Sequence, residues 1–472
     1  MKALFTSLPL VLCNIIAIFS CGCGNSNVGV NPPIPTTNVW TWMAGSSTWG
    51  ATGVYGVKGT GAANNTPGAR ELSSGWTDKN GDFWLFGGSI DSPGVGVASV
   101  GNDLWRYSVP SQEWTWIGGS SSGNQAGIYG TKGVASASNI PGAREAATSW
   151  TDCSGSFWLF GGIAYDSTGG YATDINDLWK FNPAEGTWTW VSGSNLNAFN
   201  TVEKGIYGVQ GAPGAANLPG ARDGASGWAD SSGNLWLFGG YGFDSSGNFG
   251  AMNDLWEFTP AMNTWTWVSG SSTMFATGNY GVQGVTAATN VPQARERASH
   301  WIDGSGNLWL FGGIGWTATE AGMLNDLWRY NPTTNMWTWM TGSSTFDAGG
   351  VGIEGIPAAG NTPGARERAA SWSDKGGNLW LYGGEMLGGG ILSDLWEFNP
   401  STNMWTWVGG STVSGNAGVY GTQGIASVSN TPGARSDAVS WTDNAGDLWL
   451  FGGRQQDSNG DGMLNDLWRY QP

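Results

Sequence analysis

The chain has 472 residues, of which 11% are charged, and its net charge is −16. That balance excludes nucleic-acid binding, because engaging phosphates takes clustered Lys and Arg. Its 80 glycines and 32 tryptophans exclude a low-complexity linker: glycines this frequent among so many aromatics mark turns between aromatic-rich strands.

The first residues read as a targeting segment. Lys2 precedes an apolar run from Ala3 to Phe19. The run is too short to span a bilayer with ordinary flanks and has the length of a signal-peptide core. It ends in Ile18-Phe19-Ser20-Cys21, which resembles a bacterial lipobox. The expectation is a lipoprotein signal peptide over residues 1–20 and a lipidated Cys21, since two or more acyl chains anchor stably where one is marginal. Residues 21–38 are rich in Gly, Asn, Pro and Thr and read as a flexible tether that reaches about 20–25 Å as a coil. Cys13 leaves with the signal, so Cys23 and Cys153 make no disulfide framework. The chain is therefore expected outside the cytoplasm, held to a bacterial outer membrane or cell surface by lipid, or else secreted.

From residue 39 to residue 472 one unit recurs. Pro-Gly-Ala-Arg begins at Pro67, Pro141, Pro219, Pro363 and Pro432, with Pro-Gln-Ala-Arg at Pro292. A glycine pair closes an apolar run at Gly87, Gly161, Gly239, Gly312, Gly383 and Gly452. Asn-Asp-Leu-Trp begins at Asn102, Asn176, Asn253, Asn325 and Asn465, and Ser393 replaces the Asn once. Trp-Thr-Trp begins at Trp40, Trp114, Trp188, Trp265, Trp337 and Trp405. Each unit carries four strand signals, as in Arg366–Trp372, Leu379–Gly383, Asp394–Phe398 and Trp405–Val408. All are short, aromatic or β-branched, and bounded by turn residues. Four short strands per unit, repeated radially, describe an all-β propeller of six blades, each a four-stranded antiparallel sheet. The glycine pair and the tryptophans of the third and fourth strands resemble the kelch repeat, which belongs by fold with galactose oxidase. Units of this chain are longer than the roughly 50 residues of a kelch unit.

The order of the signatures predicts how the ring closes. Trp-Thr-Trp at Trp40 precedes the first Pro-Gly-Ala-Arg, and the last unit stops at Asn465-Asp-Leu-Trp-Arg-Tyr. Residues 39–43 should therefore be the outer strand of blade six. Antiparallel meandering puts the strand one–two and three–four turns on one side, the bottom, with the tether. The long connections lie on the opposite side, the top, and are expected to form an elaborated face pointing away from the membrane.

Residues repeated in every unit read as structural. These are the turn aspartates (such as Asp78), the aspartates before Leu-Trp (such as Asp103), and the arginines (such as Arg70), taken as blade-linking. His300 is the single histidine; it reads as a satisfied strand residue and leaves no Ser-His-Asp constellation. Two residues after each repeated Arg the copies diverge: Leu72, Ala146, Gly224, Arg297, Arg368, Asp437. Strand alternation points this position the same way as the Arg, and in kelch propellers that resemble this one the equivalent position sits at the channel mouth. Arg297, Arg368 and Asp437 are thus candidate ligand residues, with an acidic sugar or peptide as the expected ligand, or an internal ion-pair network as the alternative. Asp457, Asn459 and Asp461, with Gly462 next and Asn465 beyond, match the start of an EF-hand-like loop without its final Glu. They are candidate calcium ligands, against an ordinary solvated turn.

No catalytic constellation accompanies this scaffold, so the leading expectation is a binding protein that presents loops to a glycan or protein partner. The kelch resemblance also admits a carbohydrate-active enzyme of the sialic-acid mutarotase kind. A structural envelope or matrix protein is the third reading.

Overall fold

The computed structural model describes residues 37–91, 98–196, 203–457 and 460–472. The signal segment, Cys21, most of the tether, and Asn459 lie outside them. The described residues form strands and turns without a helix. They build six antiparallel sheets of the predicted kind. In blade one the strands run Ser74–Thr77, Phe83–Phe86, Leu104–Ser108 and Glu113–Gly118, each paired with the next. Blades two to five repeat this order. The innermost strands touch in a cycle, blade one to blade two and onward, with blade six returning to blade one.

Ring closure is as the signature order requires. Blade six takes Val439–Thr442, Leu448–Asp457 and Gly460–Gln471 from the end of the chain. Its outer strand is Val39–Ala44, paired antiparallel with Gly460–Gln471 through Trp40 opposite Tyr470 and Thr41 opposite Arg469. The first and last described strands thereby share one sheet, and the ring has no open seam.

The second strands are buried at every position, as in Phe83–Phe86 and Leu308–Phe311. Their consecutive apolar residues pack neighbouring blades on both faces. One cluster joins Trp84, Phe86 and Leu104 of blade one to Phe157, Trp179 and Trp188 of blade two; another joins Trp441, Trp449 and Leu467 of blade six to Phe83 and Trp105 of blade one. The core is thus a series of wedges between blades. Indole N–H groups cross the same wedges: Trp76 donates to the Trp158 carbonyl at 3.1 Å and Trp150 to the Trp236 carbonyl at 3.0 Å.

The repeated arginines hold each blade from within. Arg70 makes a two-pronged contact with Asp103 at 2.9 and 2.8 Å and donates to the Gly87 carbonyl, all in blade one. This corrects the expectation of a blade-linking side chain. What crosses between blades is the arginine backbone: the Arg144 carbonyl accepts from Gly88 of blade one at 2.8 Å. That approach explains the glycine pair. Gly87 has φ +63°, and a Cβ there would lie 2.7 Å from the same carbonyl oxygen. The turn aspartates act as expected. Asp78 accepts from the Asn80 and Asp82 amides and from the Trp84 indole.

The long connections do not form a free top face. Each runs along the outer strand of the next blade, with bridges such as Ala62 to Trp114, Ser136 to Trp188 and Ser427 to Trp40. Gly59 donates to the Trp116 carbonyl and Asn65 to the Trp114 carbonyl. They cover sheet edges that would otherwise be open to pairing. What projects at the top are the short hairpins between strands two and three, such as Tyr241–Phe243 with Phe249–Ala251.

Candidate functional site

The inner strands surround a channel of about 370 Å³, lined by small residues such as Ser73, Ala147, Ala225 and Ala369. Its top is drawn together by the divergent position. Leu72, Ala146, Gly224, Arg297, Arg368 and Asp437 all have φ between 55° and 61°, the left-handed region that side chains other than glycine enter at a cost. Each donates its amide to the same residue of the preceding blade: Ala146 to Leu72, Gly224 to Ala146, Arg297 to Gly224, Arg368 to Arg297, Asp437 to Arg368 and Leu72 to Asp437, at 2.8–3.2 Å. The six bonds close a ring around the axis. The left-handed turn also breaks strand alternation. Arg70 is buried inside its blade, whereas the Arg297 and Arg368 side chains are 22% and 17% exposed at the mouth. The expectation that the two positions point the same way is corrected accordingly.

At the mouth Arg297 lies 3.3 Å from Glu296, 3.7 Å from Asp223 and 3.8 Å from Glu367. Arg368 lies 3.3 Å from Glu367, 3.5 Å from Glu385 and 3.3 Å from Asp437. Two guanidinium groups therefore meet five carboxylates. Instead of a local positive cluster there is an acidic mouth whose arginines already have anionic partners, which is the ion-pair alternative in extended form. An acidic ligand is a poor match to it, since the nearest charges repel anions.

Three of the five, Asp223, Glu296 and Glu367, come from a position that the sequence patterns left unmarked. The residue after each repeated Arg is Glu71, Glu145, Asp223, Glu296, Glu367 or Ser436. Burial pushes Glu71 up to about 7, helped by Asp437 and opposed by Arg454 and Arg368. Burial also pushes Glu367 up to about 7, against the pull of Arg368 and Arg297. Asp174 and Asp223 face each other, both raised by burial, and the charge of Asp223 raises Asp174 further. Aromatic rings stand beside this acid ring over blades three and four. Trp316 donates its indole N–H to Glu296 at 3.3 Å and lies 5.5 Å from the Tyr241 ring, which contacts Phe249 at 5.1 Å.

The KLHDC2/KLHL20/DRC7 Kelch-repeats domain matches residues 208–409, a stretch that contains the Arg297 and Arg368 mouth segments. The match identifies kelch repeats in this chain. Multiple epidermal growth factor-like domains protein 8 of Homo sapiens is 30% identical over 105 residues, covering 22% of this chain and 3% of that protein. N-acetylneuraminate epimerase of Shigella flexneri is 29% identical over 181 residues, covering 31% of this chain and 45% of that protein. The chain thus spans under half the length of these curated relatives.

Two further expectations meet this kelch propeller's geometry. Of the described calcium-loop residues, Asn465 stands away from Asp457 and Asp461. Residues up to Asp457 pair antiparallel with those from Gly460 onward, and Asp461 sits opposite Gln456. Asp461 is gripped by Arg454 through Nε at 2.8 Å, and Asp457 accepts from Gln455 at 2.6 Å. Asn465 lies four residues further along, roughly 13 Å away at strand rise. It is buried there as a repeat residue, donating to the Pro67 carbonyl and accepting from the Ser46 amide. Asn459 lies outside the described residues. Among those described, no cluster of metal-ligating side chains occurs. The described part of this segment is a hairpin braced by the Arg454–Asp461 ion pair. His300 lines the channel with its ring 5.5 Å from Trp228, and burial lowers it to about 4. It sits in strand Ser299–Ile302, as expected, with the Ala298 backbone as a hydrogen-bond partner that partly offsets the effect of burial.

Proposed function

We propose that this kelch propeller is an exported binding protein whose channel mouth recognises a polyhydroxylated, sugar-like ligand. The observation that carries the reading is the mouth itself: Arg297 and Arg368 among Glu296, Asp223, Glu367, Glu385 and Asp437, with Trp316, Tyr241 and Phe249 beside them. Carboxylates accept from hydroxyl groups, guanidinium groups donate to hydroxyl and ring oxygens, and aromatic faces pack on the C–H face of a pyranose. Convergent polar groups with aromatic rings beside them are what a small-ligand site needs. Ligand classes enter by screening the purified protein on a glycan array. Neutral glycans are expected to bind, and a response confined to sulfated or other polyanionic glycans would overturn this assignment.

An enzymatic reading has one specific support, the similarity to N-acetylneuraminate epimerase. Glu71 and Glu367, raised to about 7, are the mouth groups with the proton affinity for acid–base work at neutral pH. Exchange spectroscopy on N-acetylneuraminate with catalytic amounts of protein separates the two readings, because a binder leaves the exchange rate unchanged.

Lipid anchoring through Cys21 completes the proposal. A Cys21→Ser chain is expected in the soluble extracellular or periplasmic fraction, and membrane fractionation identical to that of the parent would remove the anchor from the account.

A further inference from the structure

Five of the six repeats place a tyrosine at one point of the long connection, and its surroundings are constant. Tyr55, Tyr129, Tyr207, Tyr280 and Tyr420 donate their hydroxyls to Asp103, Asp177, Asp254, Asp326 and Asp466 at 2.6–2.8 Å. Each ring also rests against two tryptophans of its blade. Tyr55 lies 4.8 Å from Trp105 and 5.2 Å from Trp116, and Tyr207 lies 4.8 Å from Trp256 and 5.1 Å from Trp267. The aspartate oxygen that receives the phenol also receives an indole N–H and an arginine N–H, as at Asp254 from Trp256 and Arg222.

Blade five departs from this pattern. The bridge residue Val351, which corresponds to Val54, is followed by Gly352 where Val54 is followed by Tyr55. The segment is also one residue shorter. Four residues separate Val54 from Gly59, which bonds the Trp116 carbonyl, and three separate Val351 from Gly355, which bonds the Trp407 carbonyl. The remaining partners are all in place. Asp394 accepts from Arg366 and, at 2.7 Å, from the Trp396 indole, and Trp396 and Trp407 face each other at 6.4 Å. Where the ring would sit there is a cavity of about 330 Å³ lined by Gly352, Asp394, Trp396, Trp407, Met323 and Leu392. A cavity half that size with apolar walls is enough to hold a benzene ring. Its rim is apolar and open: Met386, Leu387 and Val351 are 37%, 62% and 56% exposed.

We infer that this cavity is a binding site for a para-substituted phenol. The other five blades define the ligand: a ring held by two indoles, a hydroxyl donated to a buried carboxylate already fixed by arginine, and a para substituent leading out. The site is at the outer part of blade five, apart from the channel mouth, so it stands or falls separately from the mouth ligand. The phenol could belong to a free small molecule or to a tyrosine side chain on a partner, and the chemistry recognised is the same.

Isothermal titration of the full chain with p-cresol tests this. One molecule per chain is expected, and toluene, the same shape without the hydroxyl, should bind at least tenfold more weakly. Trp407→Ala should weaken p-cresol by at least tenfold with a cooperative melt retained. Tyr55→Gly should open a second site of the same kind and raise the stoichiometry to two. A blocked tyrosine amide that competes with p-cresol assigns the natural ligand to a partner's side chain; failure to compete assigns it to a free phenol. The inference is overturned if p-cresol shows no saturable binding at millimolar concentration, if toluene binds as tightly, or if Trp407→Ala, folded by its melt, binds unchanged.

Discussion

A chain lacking residues 22–43 is expected not to fold, while one lacking residues 22–37 keeps the parent melting temperature. The first deletion removes the outer strand of blade six, in which Val39, Trp40, Thr41 and Met43 are buried. Each large apolar side chain there contributes about 1.5–3 kcal/mol by burial. Its loss also strips the backbone partners from Gly460–Gln471 and exposes Trp468 and Tyr470, against which Trp40 packs. Set against a typical net stability of about 5–15 kcal/mol, this leaves little or nothing folded. Circular dichroism with thermal melting reads the comparison directly. Equal melting temperatures for the two truncations would contradict the closure described above.

The second large effect belongs to the Arg–Asp clasps. Asp254→Ala should cost about 3–5 kcal/mol, the range for removing one partner of a buried ion pair. Arg222 and Asp254 are fully buried, 2.7 Å apart, and the same carboxylate also receives Tyr207 and Trp256. The variant leaves a guanidinium, a phenol and an indole without their common acceptor. Replacing both charges, as in Arg222→Met with Asp254→Leu, should cost less than the single change, because no unpaired charge remains. Urea unfolding of the three proteins measures both quantities. A single variant within about 1 kcal/mol of the parent would mean the clasp carries no structural weight.

Much of this was legible in the sequence, because a repeat supplies its own comparison. The order of Trp40, Pro67 and Asn465 was enough to place Val39–Ala44 in blade six, and the turn role of Asp78 followed from residue type. What escaped was geometry that repetition alone does not encode. Arg70 and Asp103 are partners within one blade, yet nothing in their spacing of 33 residues distinguishes that from a contact across blades. The left-handed conformation at Arg297 and Arg368 reverses the direction that strand alternation gives, and only Gly224 at that position hints at it. Glu71 and its equivalents lie between the repeated Arg and the divergent position and drew no reading of their own. The five acidic residues in six copies could have signalled a charged ring. The spacing of Asp457, Asp461 and Asn465 fits a loop and an extended hairpin equally well, and the described residues take the hairpin. Gly352 was visible as the odd residue among five tyrosines, but its meaning required knowing that those tyrosines share one environment.

On the function proposed above, the ligand sits at the acidic, aromatic mouth. Calorimetric titration of a neutral glycan identified on the array, into the parent, Trp316→Ala and Arg297→Gln chains, tests it most directly. Loss of the stacking ring or of the guanidinium should weaken binding at least tenfold, about 1.4 kcal/mol, with melting temperatures near that of the parent. Val57→Ser, on the outer edge of blade one and 71% exposed, should bind as the parent does. Unchanged affinity in both mouth variants, with each still folded, would contradict the account and move the ligand elsewhere on the ring.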